Sequence, residues 1–515
     1  NWTVTQGNLR AVSTSGYGHI HSNFGLPHYG KWYCEATTNA SGDALGVMLA
    51  RDTHRNTYMC NSNDTTRNVG YGYLSDGRKV TTDRTATNYG ASWQATDVVI
   101  GIAFDADNGT LTFYKNGVSQ GQAYSSIPVE PGKFWFFGQS NDSNTNNSDM
   151  TWNFGQKPWA YPCPVGYRSC CTENLNDTFT GSNANKPNNF FDTKLYTGTG
   201  SELAVTGFNF QPDLLWLKPS SATNDHVLVD AARGSTKRIF ANSTGTESTE
   251  AESVKSFDSG GFTLGTHSSV NTSGVTHVSW AWDAGTAAAT PSTDGSITPT
   301  AQWVNASAGF SITQFENVAN SQTIGHGLSA EPHLIITKNV DNSENWQVYH
   351  KFVGSGQKQY LNSSSAQVSS SMWGSGPSNS VFTYDDNVTG TCIAYCWAPI
   401  FGFSHFGKYR GNASAQGLFN YCGFRPAWIA VKHHGSGGGD WQQYDMSRNS
   451  TKATVWDTFL ELNDTDAQND DGYSDLRVTA NGFQAIKDGN DSNMSNSDIM
   501  YIAFAERPYK LARAL

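Results

Sequence analysis

The densest grouping of possible ligand atoms in this chain is the run from Asn463 to Asp475, NDTDAQNDDGYSD. Carboxylate oxygens on a flexible loop suit Ca²⁺, and Asp464, Asp466, Asp470 and Asp471 are the calcium candidates, set against the plainer reading of a solvated acidic loop. Asp105-Ala-Asp107-Asn-Gly109 opens like a calcium loop but lacks the glycine and the distal glutamate of that pattern, so it reads as a hairpin turn. His433-His434 are adjacent; neighbours on a strand point to opposite faces and do not readily share one ion. Glycan cleavage by paired carboxyls needs two of them about 5–9 Å apart across a cleft. Glu35, Glu202, Glu316 and Glu331 occupy unrelated places, and nothing selects a pair. P-loop and His-Glu-x-x-His patterns are missing. The expectation is a non-enzyme with no catalytic residues and no cofactor.

Cys34, Cys60, Cys163, Cys170, Cys171, Cys392, Cys396 and Cys422 include no Cys-x-x-Cys pair, which weakens a zinc reading. Mostly free, buried thiols are expected, with one or two bridges as the alternative. Asn-x-Ser/Thr sequons at Asn242, Asn271, Asn387 and Asn493 arise by chance in a chain so rich in Asn, Ser and Thr.

These residues must be positioned by β-structure. Asn, Ser, Thr and Gly dominate the polar fraction and favour turns over helices. Aromatics make up 13% of the chain, with 16 Trp, too many for disorder and well suited to pleated faces. At about 150 residues per domain, 515 residues imply three or four domains. A formal net charge of −11 argues against nucleic acid as a partner. No apolar run approaches the ~20 residues of a membrane helix, so no membrane insertion is expected. The start at Asn1 is read as processing or truncation.

The clearest local signal is DVVIGIAFDADNGTLTFYKNG at 97–117. Val98, Ile100, Ile102 and Phe104 share one strand face, and Leu111 and Phe113 resume the alternation. Asn116-Gly117 supplies the second tight turn, because a type I′ turn needs positive φ at both central residues. A three-stranded meander over 98–123 follows. Together with GKWYCE at 30–35, FWFFG at 134–138 and NFG at 153–155, this stretch resembles a SPRY domain in order and spacing. The resemblance implies a concanavalin-like two-sheet β-sandwich over 1–161. It also implies binding of a protein or peptide through loops at one edge, without catalysis. Trp32, Phe104, Phe113 and Trp135 are then core. Asp52, His54, Arg55, Asn56 and Tyr58, in a polar segment between two strand-like runs, are the binding candidates.

The rest of the chain is self-similar. Pro212-Asp-Leu-Leu-Trp-Leu-Lys218, Pro332-His-Leu-Ile-Ile-Thr-Lys338 and Pro426-Ala-Trp-Ile-Ala-Val-Lys432 share a proline that opens a strand and a lysine six residues on. That lysine is expected to snorkel to solvent. His226, Trp346 and Trp441 each start a following strand, which ends at Asp230, His350 or Asp445. In the last strand of each copy, Trp280, Trp397 and Phe504 align, each followed by Ala, with small or polar groups on the opposite face. Three β-modules over 188–285, 308–399 and 402–515, each closing its own sandwich, are expected, with linkers at 162–187 and 286–307. The arrangement resembles the repeated C-terminal modules that accompany SPRY modules in structural proteins of tailed, often marine, bacteriophages.

The fold class expected is therefore all-β: a SPRY sandwich followed by three tandem related sandwiches. The resemblance implies a place on a virion, as a tail fibre, tail-tip or capsid fibre component. The partners it implies are other virion proteins and a host surface glycan or protein bound through loops. Family analogy suggests a homo-oligomer, a trimer among the options. A purely structural or decorating virion protein is the alternative, and a secreted glycan-active enzyme is a third reading.

Overall fold

The computed structural model describes residues 2–505 except 7–8, 14–17, 40–44, 52–69, 82–84, 130–133, 142–146, 172–173, 175–185, 319, 415–416, 450–454, 471, 473 and 488–490. It is almost entirely β, and the chain divides into two compact units, one built on residues 1–176 and a larger one on 177–478 and 483–508.

The smaller unit is a two-sheet sandwich. One sheet runs, edge to edge, through Trp2–Thr5, Arg10–Ser13, Ser148–Asn153, Lys31–Thr38, Val99–Asp105, Thr110–Lys115 and Val118–Tyr124. The other runs through Gly18–His21, Trp135–Asn141, Leu45–Arg51, Gly70–Leu74, Arg78–Val80 and Ala86–Asn88. The meander read from the sequence is present, and its second turn has φ of 47° at Asn116 and 78° at Gly117, as a type I′ turn requires. Asp105 closes the preceding turn by accepting from the backbone N–H of Asn108 at 3.1 Å and pairs with Lys31 at 2.9 Å, so it serves the hairpin. Trp32, Phe104, Phe113 and Trp135 all sit in the core, as expected.

The larger unit holds three large antiparallel sheets. The first runs Phe191–Thr197, Thr276–Trp282, Leu214–Pro219, Val227–Asp230, Lys237–Phe240, Ser248–Thr249. The second runs Ala301–Asn305, Phe310–Asn317, Gly390–Trp397, Leu334–Asn339, Gln347–His350, Gln357–Tyr360, Val368–Ser369. The third runs Ser404–Arg410, Asp498–Ala505, Pro426–His433, Trp441–Asp445, Leu460–Glu461. A smaller sheet accompanies each of them; for the first it is formed by Leu203–Thr206, Gly261–Leu264 and Val254–Asp258.

Both faces of the large sheets are buried, including the face that carries the small or polar groups. On the first sheet, Leu215, Leu217 and Ala281 pack with Val205, Phe262 and Leu264 of its small sheet. On the second, Cys392, Ala394 and Cys396 do the same with Phe382 and Tyr384. Small residues there let the two layers approach. The seven described cysteines are free thiols, six of them buried, which matches the first of the two cysteine readings; Cys60 lies outside the described residues.

The opposite faces of all three large sheets enter one common core that includes Trp216, Trp282, Ile336, Trp397, Trp428 and Phe504. The expectation that each copy closes separately therefore needs changing: each large sheet has its own small sheet behind it, but its front is completed by the other two. The register also moves one assignment. Leu214, Leu334 and Trp428 stand opposite Trp282, Trp397 and Phe504 respectively, so the counterpart of Trp397 is Trp282 and not Trp280. The shared Trp-Ala and Phe-Ala pairs mislead by two residues, a shift that keeps the face but changes the position along the strand.

Candidate functional site

The five residues proposed for recognition at the sandwich edge, Asp52, His54, Arg55, Asn56 and Tyr58, lie outside the described residues. The strands on either side of them, Leu45–Arg51 and Gly70–Leu74, pair antiparallel in the second sheet of the sandwich. Glu35, on the strand Lys31–Thr38, is 2% exposed. Its carboxylate accepts from the N–H groups of Ala160 at 2.9 Å and Tyr161 at 3.2 Å. It thereby holds the segment NFGQKPWAY at 153–161 against the sheet.

Lys218, Lys338 and Lys432 do not snorkel. Each is fully buried. Lys218 donates to the carbonyls of Pro219 at 2.8 Å, Ala222 at 3.3 Å and Thr465 at 3.1 Å. Lys338 donates to Asn339 at 2.6 Å and Asn342 at 3.0 Å. Lys432 donates to Ser364 at 2.9 Å, Ser365 at 3.0 Å and Gly439. Burial pushes each ammonium down to about 8, and clusters of carbonyl dipoles solvate it in place of water. Two of the three reach carbonyls of a neighbouring sheet system, which no local reading of the strand could show.

The described calcium candidates bond backbone N–H groups and line a recess. Asp464 accepts from the N–H of Thr465 and Asp470 from that of Gly472, while Asp471 lies outside the described residues. Among the described residues no group of three or more His, Cys, Asp or Glu side chains is placed to hold a metal ion. Asp466 instead lines a recess of ≈ 350 Å³ with Thr223, Phe459, Glu461, Gln468 and Asn469. Burial, reinforced by Asp440, Asp491, Asp464 and Asp466, pushes the Glu461 carboxyl up to about 7. This recess can offer a polar guest amide donors and acceptors together with a carboxyl that exchanges its proton near neutrality. Sequence reasoning missed Glu461 because its environment is built by residues from several separate segments.

His433 and His434 are both buried and do not form a shared ligand pair: His434 Nδ1 meets Gln367 Oε1 at 2.8 Å. Sequons at Asn271 and Asn493 have buried side chains that bond backbone, which excludes them as glycan carriers in the folded chain.

His350 and His434 belong to a group of histidines between the second and third sheets, with His333 and His405. Burial is the largest cause in each case; it pushes His350 down to about 3 and the other three to about 4. These folded values lie below the ordinary ~6.5, so the unfolded chain takes up protons first. The stability they contribute is complete above that value and is lost as pH falls from about 6.5 toward 4. Asp213 beside Asp283, and Glu461, act in the opposite sense, because burial holds their protons on in the folded chain. The histidine share is isolated by comparison with His350→Gln. The variant's unfolding midpoint is expected to vary less steeply between pH 6.5 and 4 than the parent's. Parallel curves would remove His350 from the account.

Comparison with known proteins gives two family matches. Residues 186–508 match the domain of unknown function DUF7483, and residues 31–156 match the SPRY domain. The SPRY match suggests a protein-interaction module in the smaller unit. A curated relative, the E3 ubiquitin-protein ligase RKP of Arabidopsis thaliana, is 34% identical over 139 residues. That stretch is 26% of this chain, and the chain spans only 10% of that protein's length. Among solved structures, the SPRY domain of human HERC1 aligns at 13% identity over 30% of this chain and 94% of its own, with a TM-score of 0.26. A human SPRY domain aligns at 14% identity over 30% of this chain and 97% of its own, with a TM-score of 0.24.

Proposed function

Since the chain belongs to the DUF7483 family and carries a SPRY domain ahead of that region, we propose that it is a non-enzymatic binding protein of a tailed-phage virion surface, carried on a tail fibre, tail tip or capsid fibre. The SPRY sandwich recognises a host surface protein or glycan through its edge loops, and the larger unit is the rigid body that joins other virion proteins. The observation that carries this reading is the pairing of an interaction module with an all-β unit whose functional-looking side chains are spent internally. The buried lysines and the pairs Asp230–Arg233 and Asp445–Arg448 all bond the protein's own backbone or side chains. The virion placement rests on the resemblance of this module order to that of phage structural proteins.

Purified full chain is expected to bind host cells, and joint replacement of Asp52, His54, Arg55, Asn56 and Tyr58 by alanine is expected to reduce that binding at least tenfold with the thermal midpoint unchanged. A chain that assembles into particles but binds no host cell would reduce the role to a structural one. Release of sugar from host glycan by the purified chain would replace binding by catalysis.

A further inference from the structure

We infer that the larger unit is a closed single-chain trimer, in which three copies of one β-module are joined head to tail around a common axis and the binding partner of each copy is the next copy. Each large sheet contains the same run, an N-terminal strand, the C-terminal strand, the proline–lysine strand, then strands that follow it, and the second sheet adds Ala301–Asn305 at its edge. An asparagine clamp recurs inside each copy. Asn242, Asn362 and Asn463 accept from the N–H groups of His226, Trp346 and Trp441 at 2.8, 2.9 and 2.8 Å. Their amides donate to Asp225, Asn345 and Asp440, each at 2.8 Å.

The junctions between copies repeat as well. Two residues past each lysine, a carbonyl accepts from the loop of another copy: Val340 from Glu247 at 2.8 Å, His434 from Gln367 at 3.0 Å, and Ser220 from Gln468 at 2.8 Å. The ring nitrogen that begins the next strand reaches across in the same cyclic order. Trp346 donates to the carbonyl of Phe240 at 2.9 Å and Trp441 to that of Tyr360 at 2.9 Å, while His226 Nε2 meets that of Glu461 at 3.0 Å. In each set the first copy meets the second, the second meets the third, and the third meets the first. A heterologous contact of this kind makes an open filament unless its rotation closes. Here it closes after three copies, within one chain.

A third set shows what fusion permits. Tyr395 donates to Asp230 at 2.7 Å, and Asp230 pairs with Arg233 at 2.6 Å. Trp280 donates to Asp445 at 3.2 Å, and Asp445 pairs with Arg448 at 2.7 Å. At the remaining junction the corresponding residues are Ile502, His350 and Val353: the donor is gone, the ion pair is gone, and His350 Nε2 meets the carbonyl of Tyr501 at 3.3 Å instead. A homotrimer must use one residue set three times, whereas this chain uses two polar sets and one largely apolar set.

Two experiments on the full chain test this. A specific-protease site is inserted after Ala287, in the exposed stretch Thr286–Ala288. After complete cleavage the two fragments are expected to co-elute and to keep the parent mass in native mass spectrometry. Separation of the fragments under native conditions would overturn the closed ring. The second experiment transplants one junction onto another. Tyr395→Ile alone is expected to lower the unfolding midpoint by several degrees. Adding Asp230→His and Arg233→Val is expected to recover part of that loss, because the combined set already works at the equivalent junction. A triple variant at or below the midpoint of Tyr395→Ile would sink the equivalence of the three junctions.

Discussion

Replacing Trp282 with alanine is expected to destabilise the larger unit by about 3–5 kcal/mol, near the upper end for a single core truncation. Trp282 is 2% exposed and stands where the three large sheets meet. Its ring lies 4.9 Å from Phe191, 5.6 Å from Phe504, and 6.1 Å from both Trp397 and Trp428, so it touches rings from all three sheets. Edge-on aromatic pairs of this kind contribute beyond their buried area, roughly 0.5–1.5 kcal/mol each. The neighbours cannot collapse into the space, because each is pinned by its own strand register. A small apolar cavity of ≈ 20 Å³ already adjoins this cluster, so truncation enlarges a void instead of being absorbed. Scanning calorimetry of the full chain should show the larger unit melting earlier while the SPRY sandwich keeps its own transition. A loss below about 1 kcal/mol would mean that the common core contributes little to holding the sheets together.

Asp445→Ala is expected to cost a comparable amount, about 3–5 kcal/mol, for a different physical reason. The Asp445 carboxylate is fully buried and accepts from Arg448 Nε at 2.7 Å, from the Arg448 N–H at 2.9 Å and from Trp280 Nε1 at 3.2 Å. Arg448 is equally buried, and its Nη2 bonds the carbonyl of Gln443 at 3.0 Å. Removing the carboxylate leaves a guanidinium in the interior with no counter-charge, and the cost is that of the stranded charge more than of the lost contact. Asp445→Ala combined with Arg448→Leu is therefore expected to be more stable than Asp445→Ala alone, since two apolar groups strand nothing. Chemical denaturation of the parent and the two variants measures this. A double variant less stable than the single one would show that the pair acts through packing and not through its charges.

The sequence carries the SPRY sandwich almost unaided. Its signals are local: alternation along a strand, Asn116-Gly117 with two positive φ values, and large aromatics on one face. The proline–lysine strands were legible for the same reason. What those lysines do was not, because the carbonyl that receives Lys218 from across the junction belongs to Thr465, 247 residues away, and a lysine at the end of an apolar run looks the same whether it meets water or a carbonyl. The alignment of Trp280 with Trp397 failed in a similar way, since residue type followed by alanine is a weaker constraint than hydrogen-bond register.

Side-chain alternation and turn chemistry therefore determined the class of fold, the SPRY sandwich and the position of the proline–lysine strands, all of which depend on residues a few positions apart. Tertiary structure alone decided that the three large sheets share one aromatic core, that Lys218, Lys338 and Lys432 are buried, and that Asp466, Gln468 and Asn469 line a recess with Glu461. Those outcomes depend on burial and on partners brought together from distant segments, and a linear pattern does not encode the dielectric that a side chain will meet.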